Sequence, residues 1–166
     1  MTVISPEQVW TNSSTSPIDE PGHCVTDDST GITYVYVWHK GATAIAAGDV
    51  VGVFSTVARG HVSTTNTTML DYDDAGDIVS HVAGVAVGAI AAASYGWLWA
   101  AGFDAAGVIT TDGTIAAGDG LVLDDGLKVA TTEIETQDHG HFGYAHAADS
   151  STTLTGATLR NTAFLY

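Results

Sequence analysis

The sequence is poor in cations. Nineteen aspartates and glutamates face four lysines and arginines in 166 residues, a formal net charge of -15. Those four, Lys40, Arg59, Lys128 and Arg160, stand singly along the chain. A nucleic-acid binder replaces counterions along phosphates with clustered Lys and Arg, so that class of partner is excluded. Direct adhesion to an anionic membrane surface fails for the same reason. Cysteine is scarcer still: Cys24 alone cannot form an internal disulfide or a thiolate metal site. Stability therefore rests on packing, and a chain of this length can bury roughly two-thirds of its unfolded surface.

Catalytic signatures are also missing. The sequence has no G-x-S-x-G elbow, Walker loop, dinucleotide fingerprint or H-E-x-x-H pair. No acid, base or nucleophile stands out by context, so neither an enzyme nor a bound cofactor is expected. The amino-terminal M-T-V-I-S-P-E-Q lacks a basic segment followed by an apolar core, so no secretory signal is expected. The uncharged stretch Val82 to Phe103 is long enough to raise the question of a membrane helix. It is mostly Ala and Gly and is flanked by Asp77 and Asp104 instead of basic anchors. Two buried strands with a turn between them fit it better.

Proline is confined to Pro6, Pro17 and Pro21, alongside the polar run Thr11 to Ser16. Proline fixes φ and keeps the preceding residue out of the helical region. Residues 1–31 are thus expected to form an extended N-terminal arm with little structure of its own, ahead of a single domain over residues 32–166. Trp10, a large ring on a polar arm, must pack on its own domain or on a partner.

From Ile32 onward Val, Ile, Thr and aromatics abound, Gly and Asp-Gly steps recur, and helical periodicity is absent. The fold class expected is all-β, a small β-barrel or β-sandwich. In Tyr34-Val35-Tyr36-Val37-Trp38 the alternation of side chains puts three aromatics on one strand face and two valines on the other. An internal echo follows. Ile45-Ala46-Ala47-Gly48-Asp49 recurs as Ile115-Ala116-Ala117-Gly118-Asp119, with a looser copy at Ile90-Ala91-Ala92-Ala93-Ser94, and each copy precedes an apolar strand. Gly supplies a positive φ in such a turn, and Asp or Ser binds local backbone groups. Asp-Gly steps at Asp112-Gly113 and Asp125-Gly126 suit tight hairpins, and Thr152 to Tyr166 reads as a final strand.

Three groups of residues could carry chemistry. Asp138, His139, His141 and His146 offer metal-ligand types. If residues 139–146 are one strand, however, His139 and His141 share one face while Phe142, Tyr144 and His146 share the other, so solvent-exposed or hydrogen-bonded histidines are favoured. Asp71, Asp73, Asp74 and Asp77 gather as in a calcium loop, but Ala75 and Val82 break that pattern and a solvated acidic loop is favoured. No metal is therefore expected. Tyr95, Trp97 and Trp99 share a strand face and could form a sugar platform, although core or subunit-interface packing suits so apolar a segment better.

Three stretches resemble a known family: Val82 to Trp99, Thr110 to Val122, and His139 to Ala145 before a C-terminal strand. Their order is similar to that in the capsid cement or decoration proteins of tailed bacteriophages. In those proteins an apolar strand is followed by a Ser-Tyr-Gly-Trp turn, by Asp-Gly and Ala-Gly-Asp turns, and by a Gly-His-x-x-Gly return strand. The resemblance covers about residues 42–166. It implies a protein without an active site that sits on the capsid exterior of the virion and bridges neighbouring major capsid protein subunits, commonly as a homotrimer, and that is present in the host cytoplasm during assembly. Trp10, Tyr34, Tyr36, Trp38, Tyr95, Trp97 and Trp99 are then the candidate interface residues. A carbohydrate-binding or host-attachment module on the virion surface is the alternative.

Overall fold

A computed structural model of the chain describes residues 13–53, 61–63, 82–111, 114–123, 130–132, 141–149 and 152–160. The chain is all-β. Its strands are β1 (Cys24–Thr26), β2 (Thr33–His39), β3 (Val50–Val53), β4 (His61–Ser63), β5 (Val82–Ala86), β6 (Ser94–Thr110), β7 (Gly120–Leu123), β8 (Ala130–Thr132), β9 (Gly143–Ala145) and β10 (Thr153–Leu159). They join in one ten-stranded sheet of order β1-β2-β4-β3-β5-β6-β10-β9-β7-β8, with a further β2–β6 pairing. Among the described residues no helix is long and apolar enough to cross a membrane. The Val82 to Phe103 stretch forms two strands, as its composition predicts: β5 is buried throughout, and β6 begins after a turn.

Strand β6 has 17 residues, well beyond the usual ~3–10, and it organises the fold. Residues 94–101 pair with β2, and residues 102–104 and 108–110 pair with β10 on either side of a bulge. On either side of that handover the same pattern of pairings appears twice. In the first unit β3 pairs with β4 and β5, and β5 with β6; in the second β7 pairs with β8 and β9, and β9 with β10. The echoed pentapeptides lie at the same place in both units. Gly48 and Gly118 have φ of 86° and 94°, and each sends its N–H to a carbonyl 2.8 Å away, on Ala86 and Ala145 respectively. Asp49 accepts the Ala46 N–H and Asp119 the Ala116 N–H, both at 2.8 Å. A side chain would strain that positive φ, and a carboxylate on the next residue is well placed to close the bend. The looser copy makes the same turn without the carboxylate: Ala93 takes φ 51°, and Ser94 Oγ donates to the Ala92 carbonyl.

Two cores follow from two-sided strands. In the first unit the pairings run round a ring, β2-β4-β3-β5-β6 and back to β2, with β2 and β4 parallel. The ten-stranded sheet as a whole does not close into one barrel. Val35, Val37, Val51, Val62, Ala83, Leu98 and Ala100 pack with Ile45 and Ile90 as one buried cluster. Alternate residues of the same strands, Val50, Val82, Val85 and Trp99, join Ile109, Leu121, Phe142, Leu154 and Leu159 in the other. The first unit thus buries both faces of its sheet, one within its own ring and one against the second unit.

The stretch expected as a bare arm is described from residue 13, and there it is bonded to the domain. Ser14 and Tyr95 exchange both backbone hydrogen bonds, at 3.0 and 2.7 Å. Ile18 N–H reaches the Tyr36 hydroxyl, and β1 pairs with β2. Pro21 and Gly22, the latter at φ 91°, form a turn closed by the His23 N–H on the Glu20 carbonyl, and this turn leads the segment into β1. Trp10 lies outside the described residues.

The single-strand reading of residues 139–146 does not hold. Among its described residues, 141–146, only Gly143–Ala145 is strand, and Phe142 is buried while Tyr144 is partly exposed, so the two do not share a face. The reason is local: Phe142 N–H bonds the Leu121 carbonyl and its own carbonyl takes the Arg160 N–H, which draws the ring into the core before the strand begins. His139, Asp138 and the acidic residues Asp71, Asp73, Asp74 and Asp77 lie outside the described residues, as do the Asp112-Gly113 and Asp125-Gly126 steps.

Candidate interaction surface

The expected aromatic face of β2 forms one half of a ladder. Tyr34 lies opposite Trp99, Tyr36 opposite Trp97 and Trp38 opposite Tyr95, so three cross-strand pairs stand on one face of β2 and β6. Tyr36 and Tyr95 rings stack at 5.9 Å, Tyr36 and Trp97 lie tilted at 5.0 Å, and Trp38 and Tyr95 stack at 6.3 Å. Aromatic pairs at such separations contribute about 0.5–1.5 kcal/mol beyond the area they bury.

The ladder is covered unevenly along its length. At one end Trp99 is 3% exposed and belongs to the core between the units; Gly107 faces its ring so closely that a Cβ there would stand 2.6 Å from a ring carbon. In the middle, Tyr36 and Trp97 are 1% and 4% exposed. The 14–23 segment is anchored there by Tyr95, by the Tyr36 hydroxyl, and by the Gly22 and His23 backbone bonds to Tyr36. At the far end Trp38 and Tyr95 remain partly exposed, and the Lys40 ammonium lies 5.6 Å from the centre of the Trp38 ring. Of the candidate interface residues, then, Tyr36, Trp97 and Trp99 are covered within the chain, while Tyr34, Trp38 and Tyr95 keep some surface. Burial raises the Tyr34 hydroxyl above the ordinary phenol range, helped by the negative charge of Asp104 and Asp27, and burial raises Tyr36 as well.

A second surface, on the outer face of the second unit, is absent from the sequence reading. Phe103 lies opposite Thr158, and Thr158 opposite Tyr144, a row across β6, β10 and β9. The Arg160 guanidinium lies 4.6 Å from the Tyr144 ring centre and donates to the Tyr144 hydroxyl. His141 meets the same ring edge-on at 4.5 Å, and His146 lies 4.6 Å from the Phe103 ring with its Nε2 2.7 Å from Thr158 Oγ1. Of the three histidines of the expected cluster, the two described thus rest against different rings, His141 edge-on to Tyr144 and His146 tilted against Phe103. Phe103 and Val108 are 48% and 45% exposed, two of the three most exposed large apolar side chains among the described residues. The sequence carried one signal for this face: Arg160 is one of only four cations in the chain.

No family model matches the chain, and no curated protein matches it. Among solved structures, its fold is similar to that of the head fiber gp8.5 N base in bacteriophage phi29, with 15% identity, a TM-score of 0.44, and coverage of 79% of this chain and 96% of that one.

Proposed function

We propose that the chain is a structural component of a phage head that binds the outer surface of the shell, bridges neighbouring major capsid subunits as a homotrimer, and performs no reaction. The observation that carries this reading is the pair of Ile-Ala-Ala-Gly-Asp turns. The second lies within a stretch that resembles the capsid decoration proteins, the first repeats it, and in the fold they are the matching corners of two joined β units. A rigid, two-sided β scaffold with interaction faces at its outer edges suits a bridging role. A ligand that binds only the assembled shell stabilises it by mass action, and many copies with modest contacts add up. The charge of -15 would hold free copies away from packaged DNA and leave docking to a complementary surface on the shell.

The test is to heat heads assembled with and without the protein while following DNA release. Release at a higher temperature with the protein bound is the expected outcome. Equal release temperatures at full occupancy would refute bridging and favour the host-attachment alternative, which a glycan array then examines directly.

A further inference from the structure

We infer that the Tyr144–Arg160 face is a contact surface for a second copy of this chain, and that it receives the segment around Ile18 and Glu20 of that copy, head to tail. The inference rests on the self-association in the proposed function and gives it a geometry. Four observations support it. In a chain where acids outnumber bases 19 to 4, the Arg160 side chain has no carboxylate partner among the described residues; it lies against the Tyr144 ring and donates to the Tyr144 hydroxyl instead. One donor is used on that hydroxyl, which leaves the rest of the fork for a carboxylate, and the contacts to Tyr144 fix the direction of the guanidinium in advance.

Second, the face around it is partly apolar. Phe103 and Val108 stand exposed on the adjoining strand, within a sheet face that threonines otherwise cover. Third, no carboxylate stands among the residues named on this face, Phe103, Val108, His141, Tyr144, His146 and Thr158, so a two-fold contact of the face with itself would leave Arg160 without a counter-charge. A head-to-tail contact meets a different surface instead and closes into a ring when the rotation permits. Fourth, the complementary surface is present on the same chain. Ile18, at 61% exposure, is the third large exposed apolar residue among those described, and it is followed directly by Asp19 and Glu20. Asp19 is occupied by His23, while the exposed Glu20 carboxylate has no partner among the described residues. Ile18 is held out from the fold by its backbone bond to Tyr36. An apolar residue with a neighbouring carboxylate is thus offered to an apolar pair with a neighbouring guanidinium. At physiological salt the Debye length is about 8 Å, so the like charges elsewhere on two copies are largely screened and the local complement decides.

Sedimentation of the full chain over a concentration series tests the contact, with circular dichroism confirming that each variant is folded. Wild type is expected to associate. R160A and I18A are each expected to raise the dissociation constant at least ~tenfold, R160E to abolish association, and the R160E/E20R pair to restore it. An associating wild type with an unchanged R160A would overturn this contact and leave self-association standing through another surface. Failure of E20R to rescue R160E would overturn the pairing of the two patches. A wild type that stays monomeric at every concentration would overturn both this contact and the trimer, leaving single copies to bind the head.

Discussion

The Tyr36 hydroxyl accepts the backbone N–H of Ile18 at 3.1 Å, a bond between a core side chain and a strap that crosses above it. Tyr36→Phe keeps the ring and its stacking but removes the acceptor. The expected loss is about 0.5–1.5 kcal/mol of stability in denaturant unfolding. Residues 14–23 should also become more readily cut in limited proteolysis while the rest of the chain stays resistant. A variant as resistant as wild type would mean that Ser14, Tyr95 and β1 hold the strap without this bond.

Asp49 and Asp119 close equivalent turns in different surroundings, and this makes them an internal control. Asp49 is buried, whereas Asp119 is only partly buried and its bond to the Ala116 N–H lies at the surface. Asp49→Ala leaves a partly buried N–H unsatisfied and should cost about 1–3 kcal/mol. Asp119→Ala leaves an N–H that water can reach and should cost only ~0.5–1 kcal/mol. Equal losses in thermal or urea unfolding would show that water does not take over the second bond.

Alkaline pH provides a third check. Tyr34 and Tyr36 are raised from the ordinary value of 10.0, in both cases chiefly by burial. Groups with raised values contribute stability that is complete below the ordinary value and is lost as pH rises through the folded value. The melting temperature should therefore fall above about pH 10, with phenolate absorbance appearing later than for free tyrosine. Tyr34→Phe should flatten that fall. A Tyr34 that ionises like free tyrosine in the folded chain would contradict its placement between the two units.

Local chemistry was legible in the sequence, and long-range pairing was not. The Gly-Asp turns, the two strands of Val82 to Phe103 and the alternation of Tyr34 to Trp38 each depend on neighbours in sequence, and all three appear in the fold. The partners of those aromatics depend on the β2–β6 register, which nothing within either strand fixes. The extension of β6 through Asp104-Ala105-Ala106-Gly107 was hidden for a related reason. Those residues bulge out of the β10 register, and Gly107 among them admits the Trp99 ring. The Arg160 face was hidden because its members come from three strands and acquire a common side only when the sheet assembles. Residues 139–146 misled because one buried side chain, Phe142, changes the parity just before the strand starts.

The handover within β6 has a mechanical consequence. Between Ala101 and Gly102 a single covalent backbone passes from one β unit to the other, and antiparallel ladders bracket it on both sides of that point. Tension applied along this strand loads its ladder bonds in parallel, in shear, so they must break together; a pull across the strand would open them one at a time. In the role proposed above, a plate fastened to a shell that swells from within, the molecule would be stretched in its own plane. A long strand lying along that stretch would act as the molecule's tie-rod.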